Sequence, residues 1–339
     1  MGRSRIPMRS TSARIAACLL SIPLIACSSN KPREMSDEDK IEYYYGNALN
    51  YYELGELDRA EDQIWRGFEI DSREKRLNLL YGWVLQRRGK PEDVRRAEQV
   101  FRRLLDHKDY RVTLGLAVAL ERKGVLYDKA ARDVASGKLR VEGGDPQARA
   151  RELAELAVDA WNEAVTFFEK TLAASEDERD ALSGLTRVQA LLGNAERSLA
   201  ANDRLIELIE AKKQFLQRQL DREDIRAPDE ERFRAALREE VALEVGARLH
   251  AATLLRRTGD NEKAAEHLGA VIELQPDLAE AHSRLAQVLF DLGRHERAIY
   301  EIDRYLRLST DTSFDDPSIR QAYDLRSRAE AALASASGV

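Results

Sequence analysis

Residues 251–276 read AATLLRRTGDNEKAAEHLGAVIELQP, and residues 285–305 read LAQVLFDLGRHERAIYEIDRY. The two stretches align at an offset of 34 positions: Ala251-Ala252 with Leu285-Ala286, Leu255 with Leu289, Gly259 with Gly293, Ala264 with Ala298, and Leu268 with Ile302. Apolar residues recur three and four apart on both sides of each glycine, which is the spacing of one helix face. The glycine between them adopts the positive φ of a tight turn at the least steric cost. Each stretch therefore predicts two antiparallel helices joined by a short turn. Helices cross closely only where side chains are small. Ala252 with Ala264, and Ala286 with Ala298, mark such crossings.

Working outward, the same interval returns in the first half of the chain, with 34 positions from Gly55 to Gly89 and 35 from Gly89 to Gly124. A first unit, residues 41–74, carries Tyr44, Ala48 and Tyr51 before Gly55, then Ala60 and Ile64. A second, residues 75–107, carries Tyr81-Gly82 and Leu85 before Gly89, but its Ala97 and Phe101 come three residues late, which a short insertion over Lys90 to Arg95 accounts for. In the third, Leu116-Ala117 and Leu120 precede Gly124, read as another turn, and residues 125–146 intervene before a long helix over 147–174 bearing Trp161, Ala164, Phe168 and Leu172. Gly143-Gly144-Asp145-Pro146 is a turn signal just ahead of that helix.

After Gly193 the helical pattern runs to about Arg222, and its partner runs from Pro228 to about Thr258, with proline well placed to open a helix. Leu205, Leu208, Ile209, Phe215, Leu216 and Leu220 face Phe233, Leu237, Val241, Val245 and Leu249 in the expected pairing, a helical hairpin that leaves the array as a short antiparallel coiled coil. Beyond Asp315-Asp316-Pro317, residues 318–334 place Ile319, Ala322, Tyr323, Ala329 and Leu333 on one face, suited to covering the apolar end of a solenoid.

The pattern of a small residue midway along one helix, a turn glycine, an early alanine in the next helix and the closing Pro276 resembles the tetratricopeptide repeat, a 34-residue helix-turn-helix. The resemblance implies an all-α, right-handed solenoid of antiparallel helix pairs with the hairpin insertion and a C-terminal capping helix. It also implies that the first helix of each pair lines a concave groove. Carried over residue by residue, groove positions are Tyr45, Leu49, Tyr52, Leu79, Trp83, Leu114 and Val118 in the first half, apolar and aromatic, and His250, Thr253, Arg256, Arg257, Arg284 and Gln287 in the second, polar and partly basic. Such a groove takes an extended peptide or an amphipathic helix. The same aromatic side chains are equally suited to packing on neighbouring helices. Some relatives clamp C-terminal carboxylates with lysines and asparagines at set groove positions, a combination this chain does not repeat.

At the amino terminus, Arg3, Arg5, Arg9 and Arg14 precede an apolar run, Ile15 to Ile25, too short for a membrane span and laid out as a secretory signal. It closes on Leu24-Ile25-Ala26-Cys27, which resembles the lipobox of bacterial lipoproteins. That resemblance implies cleavage before Cys27 and acylation of its thiol. One chain contributes about 0.8 kcal/mol per buried CH₂ and anchors only marginally, so several are needed for stable attachment. Ser28, after the cysteine, implies transfer to the outer membrane of a two-membrane envelope, facing the periplasm. The expected organisation is a signal peptide over 1–26, a lipidated tether over 27–40, N-terminal repeats over 41–124, irregular extended repeats and hairpin over 125–228, C-terminal repeats over 229–310, and a cap and tail over 311–339.

Composition narrows the chemistry. The chain carries a formal charge of −6, and losing four arginines with residues 1–26 makes the remainder more acidic still, with no footprint for phosphate backbones and none for anionic lipid surfaces. The other cysteine, Cys18, lies in the segment to be removed, which leaves neither a disulfide framework nor a free thiol for catalysis. Neither G-x-G-x-x-G nor G-x-x-x-x-G-K-[ST] occurs, no G-x-S-x-G elbow is present, and His107, His250, His267, His282 and His295 show no metal-binding spacing. No enzyme activity, cofactor, metal, nucleic acid or small-molecule substrate is expected.

The function expected is a membrane-anchored scaffold or adaptor for protein partners. An assembly factor resembling the pilotin lipoproteins of type IV pili is an alternative with the same fold. A helical enzyme acting on cell-wall material is a second alternative, which requires clustered carboxylates in a closed cleft.

Overall fold

The computed structural model describes residues 35–141, 143–310, 313 and 316–336. The lipobox and Cys27 lie outside the described residues. Among those described there are thirteen α-helices and no strand. They fall into antiparallel pairs: α1 (Asp37–Glu53) with α2 (Leu57–Phe68), α3 (Lys75–Arg88) with α4 (Pro91–Arg103), α5 (Tyr110–Ala135) with α6 (Pro146–Ala174), α7 (Arg179–Leu191) with α8 (Ala195–Leu220), α9 (Ala227–Thr258) with α10 (Asn261–Leu274), and α11 (Ala279–Asp291) with α12 (His295–Leu308), followed by α13 (Pro317–Ala336). The solenoid expected from the repeat is the fold observed.

Local chemistry sets the helix ends. Ser36 Oγ accepts the Asp39 N–H, Asp145 accepts from Gln147 and Ala148 ahead of Pro146, and Asp260 accepts from Lys263, each satisfying donors that the first turn leaves unpaired. Five turn glycines, Gly55, Gly89, Gly193, Gly259 and Gly293, have φ between 72° and 87°.

Gly124 departs from that expectation. It lies inside α5, which continues to Ala135, and a Cβ there would come within 2.3 Å of the Trp161 indole, so this glycine serves a close helix crossing and not a turn. Residues 125–135 are accordingly helical, and α5 and α6 run on together past the repeat through Ala131, Val134 and Leu153. The delay in the second unit is also helical: α4 starts at Pro91, so the three extra residues are an added turn at its start and not a loop.

Aromatic rings set the spacing between helices. Phe101 of α4 is fully buried, and a Cβ on Gly82 of α3 or on Gly115 of α5 would meet its ring at 2.5 and 2.4 Å. Phe168 of α6 meets the position of a Gly184 Cβ at 2.1 Å in the same way. These contacts belong to one core that runs from Ala48 to Val188. A second core starts at Ala251 in α9 and ends at Ala298 in α12. Ile319 and Ala322 of α13 close it by packing on Ala286, Ile302 and Tyr305, as expected of the cap, although Tyr323 faces outward.

The α8–α9 hairpin forms as expected, with one shift of register. Ile209, Leu216 and Val245 are buried along its seam while Phe215 is exposed. Glu244, buried in the seam, is held by Lys213 from the facing arm and by Arg248 Nε at 2.7 Å. Turns within a pair lie on one edge of such a solenoid and turns between pairs on the other. The α5–α6 arm extends a turn within a pair and the α8–α9 arm a turn between pairs, so the two arms leave opposite edges.

Gly184→Ala should destabilise the fold by about 1–3 kcal/mol, because the buried Phe168 ring has nowhere to move. Gly269→Ala, in α10 with nothing within 4 Å of its Cβ, should stabilise it by about 0.5–1 kcal/mol. Thermal unfolding followed by circular dichroism checks both, and shifts of the same sign would contradict the packing described.

Candidate functional site

The first helices of successive pairs line a trough. At its upper end Tyr52 from α1, Trp83, Gln86 and Arg87 from α3, Leu114, Val118 and Arg122 from α5, and Asp180, Ser183 and Arg187 from α7 surround a hollow of about 250 Å³. Asp180, Ser183 and Arg187 also border the next cavity, about 620 Å³ and the largest of the three along the trough, whose walls are α7 and α9 and whose floor is Leu205 and Ile209 of α8. A third hollow of about 430 Å³ lies between α9 and α11, lined by Thr253, Arg256, Arg257, Arg284 and Gln287 over Ala252, Leu268 and Val288.

The trough changes character along its length because the helix contacts change. α1, α3, α5 and α7 touch in sequence, so their side chains form a nearly continuous wall. Past α7 the first helices part, and the second helix of each pair becomes visible between them as the floor of a cavity.

Of the groove residues expected from sequence, Tyr52, Trp83, Leu114 and Val118 meet in the upper hollow, His250 borders the middle cavity, and Arg256, Arg257, Arg284 and Gln287 surround the lower one. Tyr45 and Leu49 sit further along α1, half-buried. The Tyr45 ring lies beneath the Arg76 guanidinium at 5.1 Å, and Leu49 packs on the core. Leu79 is a core residue, 7% exposed, and lines none of the three hollows.

Arginines not singled out in the sequence complete the site. Arg87 donates to the Tyr52 carbonyl and lies over the Tyr52 ring at 5.1 Å, and Arg122 donates to the Gln86 carbonyl. Each links one repeat to the preceding one at the end of its first helix. Their separation, 35 positions, is the repeat interval, the one signal in the sequence that could have found them. Arg187 reaches back to α5 and grips the buried Glu121 with two bonds of 2.6 and 2.9 Å, which push its own pKa up further, while Nη1 donates to Ser183 at 2.7 Å. Arg179 holds Glu240 of α9 in the same bidentate manner, at 2.9 and 2.6 Å.

Two ring groups have shifted acidities. Burial raises the Tyr52 phenol above its ordinary value, with Arg87 and Arg122 opposing, so the hydroxyl stays protonated. Burial, aided by the Arg187 charge, lowers His250 below the ordinary imidazole value, so it is neutral at pH 7. The trough can therefore offer hydrogen-bond donors, aromatic faces and guanidinium groups. Among the described residues no group of three or more His, Cys, Asp or Glu side chains is placed to hold a metal ion.

Compared with known families, the segment that contains the lower hollow matches the tetratricopeptide repeat. Residues 249–311 are tetratricopeptide repeats. The match spans the end of α9 through α12, and in tetratricopeptide terms His250, Thr253, Arg256, Arg257, Arg284 and Gln287 all lie on the first helices of its two units. No curated protein matches the chain. Among solved structures, a Pseudomonas aeruginosa pilF structure is similar at 11% identity and a TM-score of 0.48, covering 84% of this chain and 97% of that one. A thermophilic tetratricopeptide protein of Thermus thermophilus is similar at 15% identity and a TM-score of 0.42, covering 75% and 100%. A MamA protein is similar at 14% identity and a TM-score of 0.35, covering 62% and 88%.

His250 and His267 both have imidazoles that burial holds below the ordinary value. The unfolded chain therefore binds protons on these residues first as pH falls through about 6.5, and stability declines from that point downward. Replacing both with asparagine should flatten the stability profile between about pH 6.5 and 5 relative to wild type, measured as urea midpoints. An unchanged slope would show that neither ring is held neutral in the fold.

Proposed function

We propose that the chain is a lipid-anchored interaction scaffold of the cell envelope, which docks protein partners in its trough and carries out no covalent turnover. The observation that carries this reading is the alignment of side chains from α1, α3, α5, α7, α9 and α11 along one concave face, from Tyr52 to Gln287. Half-buried aromatics bounded by charges are what a peptide or amphipathic helix engages, because the rings supply most of the contact energy and the charges exclude wrong partners.

Anchoring rests on the Leu24-Ile25-Ala26-Cys27 lipobox. Nine residues lie between Cys27 and Asp37, where α1 begins, and even fully extended that stretch reaches only about 35 Å, so a lipid on Cys27 keeps the first repeat close to the membrane surface. Confining a partner near that surface raises its effective concentration there without any new contact. No helix among the described residues is long and apolar enough to cross a membrane. Of the two membranes in such an envelope, Ser28 favours the outer one, with the trough in the periplasm.

Photo-crosslinkers placed at Trp83 and at Arg257 in the native host should capture the same partner from both positions, identified by mass spectrometry. Capture at neither position, with capture from the tip near Ile225, would move the docking face to the hairpin. Separately, Cys27→Ser should abolish incorporation of labelled palmitate and release the chain from membranes while leaving its unfolding temperature unchanged. Retention of the label in that variant would remove the anchor from this reading.

A further inference from the structure

We infer that the cavity between α7 and α9 is a socket for bulky apolar side chains of a partner segment that carries a basic flank on one side of this anchor and an acidic flank on the other. The inference rests on the trough reading above and assigns its chemistry.

The cavity exists because the apolar core is interrupted there. The first core ends at Val188 in α7 and the second starts at Ala251 in α9. Polar contacts cross the joint between them: Ser198 Oγ donates to the Thr186 carbonyl at 2.7 Å, Asn202 Nδ2 donates to the Ala247 carbonyl at 3.1 Å, and Arg179 clasps Glu240. Of these, the Arg179–Glu240 pair joins α7 to α9 directly and the other two run through α8, and the space between α7 and α9 beside them is left unfilled.

What faces that space is apolar. Leu205 and Ile209 form the floor, and Ala242, Leu243 and Ala247 form the α9 wall, with Leu243 53% exposed. The cations and the amide at the margin are already engaged, since Arg187 is committed to Glu121 and Ser183, Arg179 to Glu240, and the Asn202 amide to a carbonyl. His250 is neutral. Away from the α7 rim, where Glu178 and Asp180 lie, a charged guest would find no counter-charge against the floor and the α9 wall, whereas leucine or phenylalanine side chains would bury the exposed Leu243 and gain the area removed from water.

The two margins of α9 differ in sign. On the α7 side the rim is acidic, with Glu176, Asp177, Glu178 and Asp180 in one short stretch. Arg204 lies 3.7 Å from Asp177, but Glu178 and Asp180 have no ion-pair partner among the described residues. On the α11 side lie Arg256, Arg257 and Arg284. Arg256 bonds Gln287 at 2.6 Å and lies 3.7 Å from Asp291, and Arg284 bonds Thr253 at 2.9 Å and pairs with Glu280 at 2.5 Å, so the cation left for a guest on this side is Arg257, which has no ion-pair partner among the described residues. A segment lying across α9 therefore passes from acid through an apolar socket to base, and complementarity calls for a cation, a hydrophobic anchor and a carboxylate in that order.

The test uses three fluorescein-labelled helical peptides that share a central Leu/Phe anchor and differ only in flanks: Lys with Glu, Lys with Lys, and Glu with Glu. Binding to the full chain in detergent is read by anisotropy. The mixed peptide should bind at least tenfold tighter than either uniform one. Leu243→Arg, and independently Ala242→Glu, both at exposed positions, should each weaken it at least tenfold, and Arg257→Glu should make the Lys/Lys peptide the tightest of the three. Equal binding of all three peptides, or mixed-peptide binding that survives both wall variants, overturns the inference. So does a wild-type dimer in sedimentation velocity that Leu243→Arg dissolves, which would make this face a contact between two copies. If partner capture at Trp83 persists in any of those cases, the trough reading stands and only the socket falls.

Discussion

How closely two helices can approach is decided in this protein by rings seated against glycine. Phe101 leaves α4 and fills the space where α3 and α5 meet, and the missing Cβ atoms of Gly82 and Gly115 are what make room for it. Trp161 on Gly124 and Phe168 on Gly184 repeat the device further along. Because interiors are close-packed, one such ring fixes the separation of three helices at once. With that separation set, the end of each first helix comes within reach of the next repeat, and Arg87 and Arg122 can close onto the carbonyls of Tyr52 and Gln86. The upper wall of the trough is thus a by-product of core packing on the opposite side of the same helices.

Where the device lapses, the wall opens. No ring from α8 is wedged against a glycine of α9: Gly246 has nothing within 4 Å of its Cβ position. Instead α8 and α9 are long and meet along the hairpin seam, with Glu244 neutralised by Lys213 and Arg248. A buried carboxylate is tolerable only when so paired, and such a pair specifies register more than it adds stability. The hairpin therefore fixes where α9 starts while leaving its lower part free to stand off α7, which is why the widest of the trough's hollows falls at this joint and not between repeats of regular length.

The repeat was legible because its signal is redundant, with glycine, alanine and apolar spacing all agreeing in residues 251–305. It misled where one residue type serves two ends. Gly124 has the right interval for a turn but was selected for contact with Trp161, a distinction carried by a residue 37 positions away and invisible locally. The extra residues before Ala97 read as an insertion because alignment counts positions, whereas the helix absorbs them as one more turn. Phe215 and Leu216 are adjacent and both apolar, so only the partner arm decides that Leu216 goes inside. Leu79 was assigned to the groove by its position in the repeat, but the turn of α3 carries it into the core. Arg87, Arg122, Arg179 and Arg187 were the main omission, since a charged residue at repeat spacing reads as a solvated face until its carbonyl or carboxylate partner is seen.

That the cations lining the three hollows are arginines, with no lysine among them, follows from the double task they perform. A planar guanidinium has five donors in a fixed fork and a face that stacks on aromatic rings, whereas an ammonium is a single hydrated point. Arg87 uses one edge on the Tyr52 carbonyl and its face on the Tyr52 ring, and Arg187 uses the fork on Glu121 and a further donor on Ser183. Each is locked in place by a bond between elements of the solenoid while still bordering the open trough. Ordering such a side chain in advance removes part of the entropy that a partner would otherwise have to overcome on binding. The bonds that hold one repeat to the next are in this way the same bonds that prepare the surface for contact.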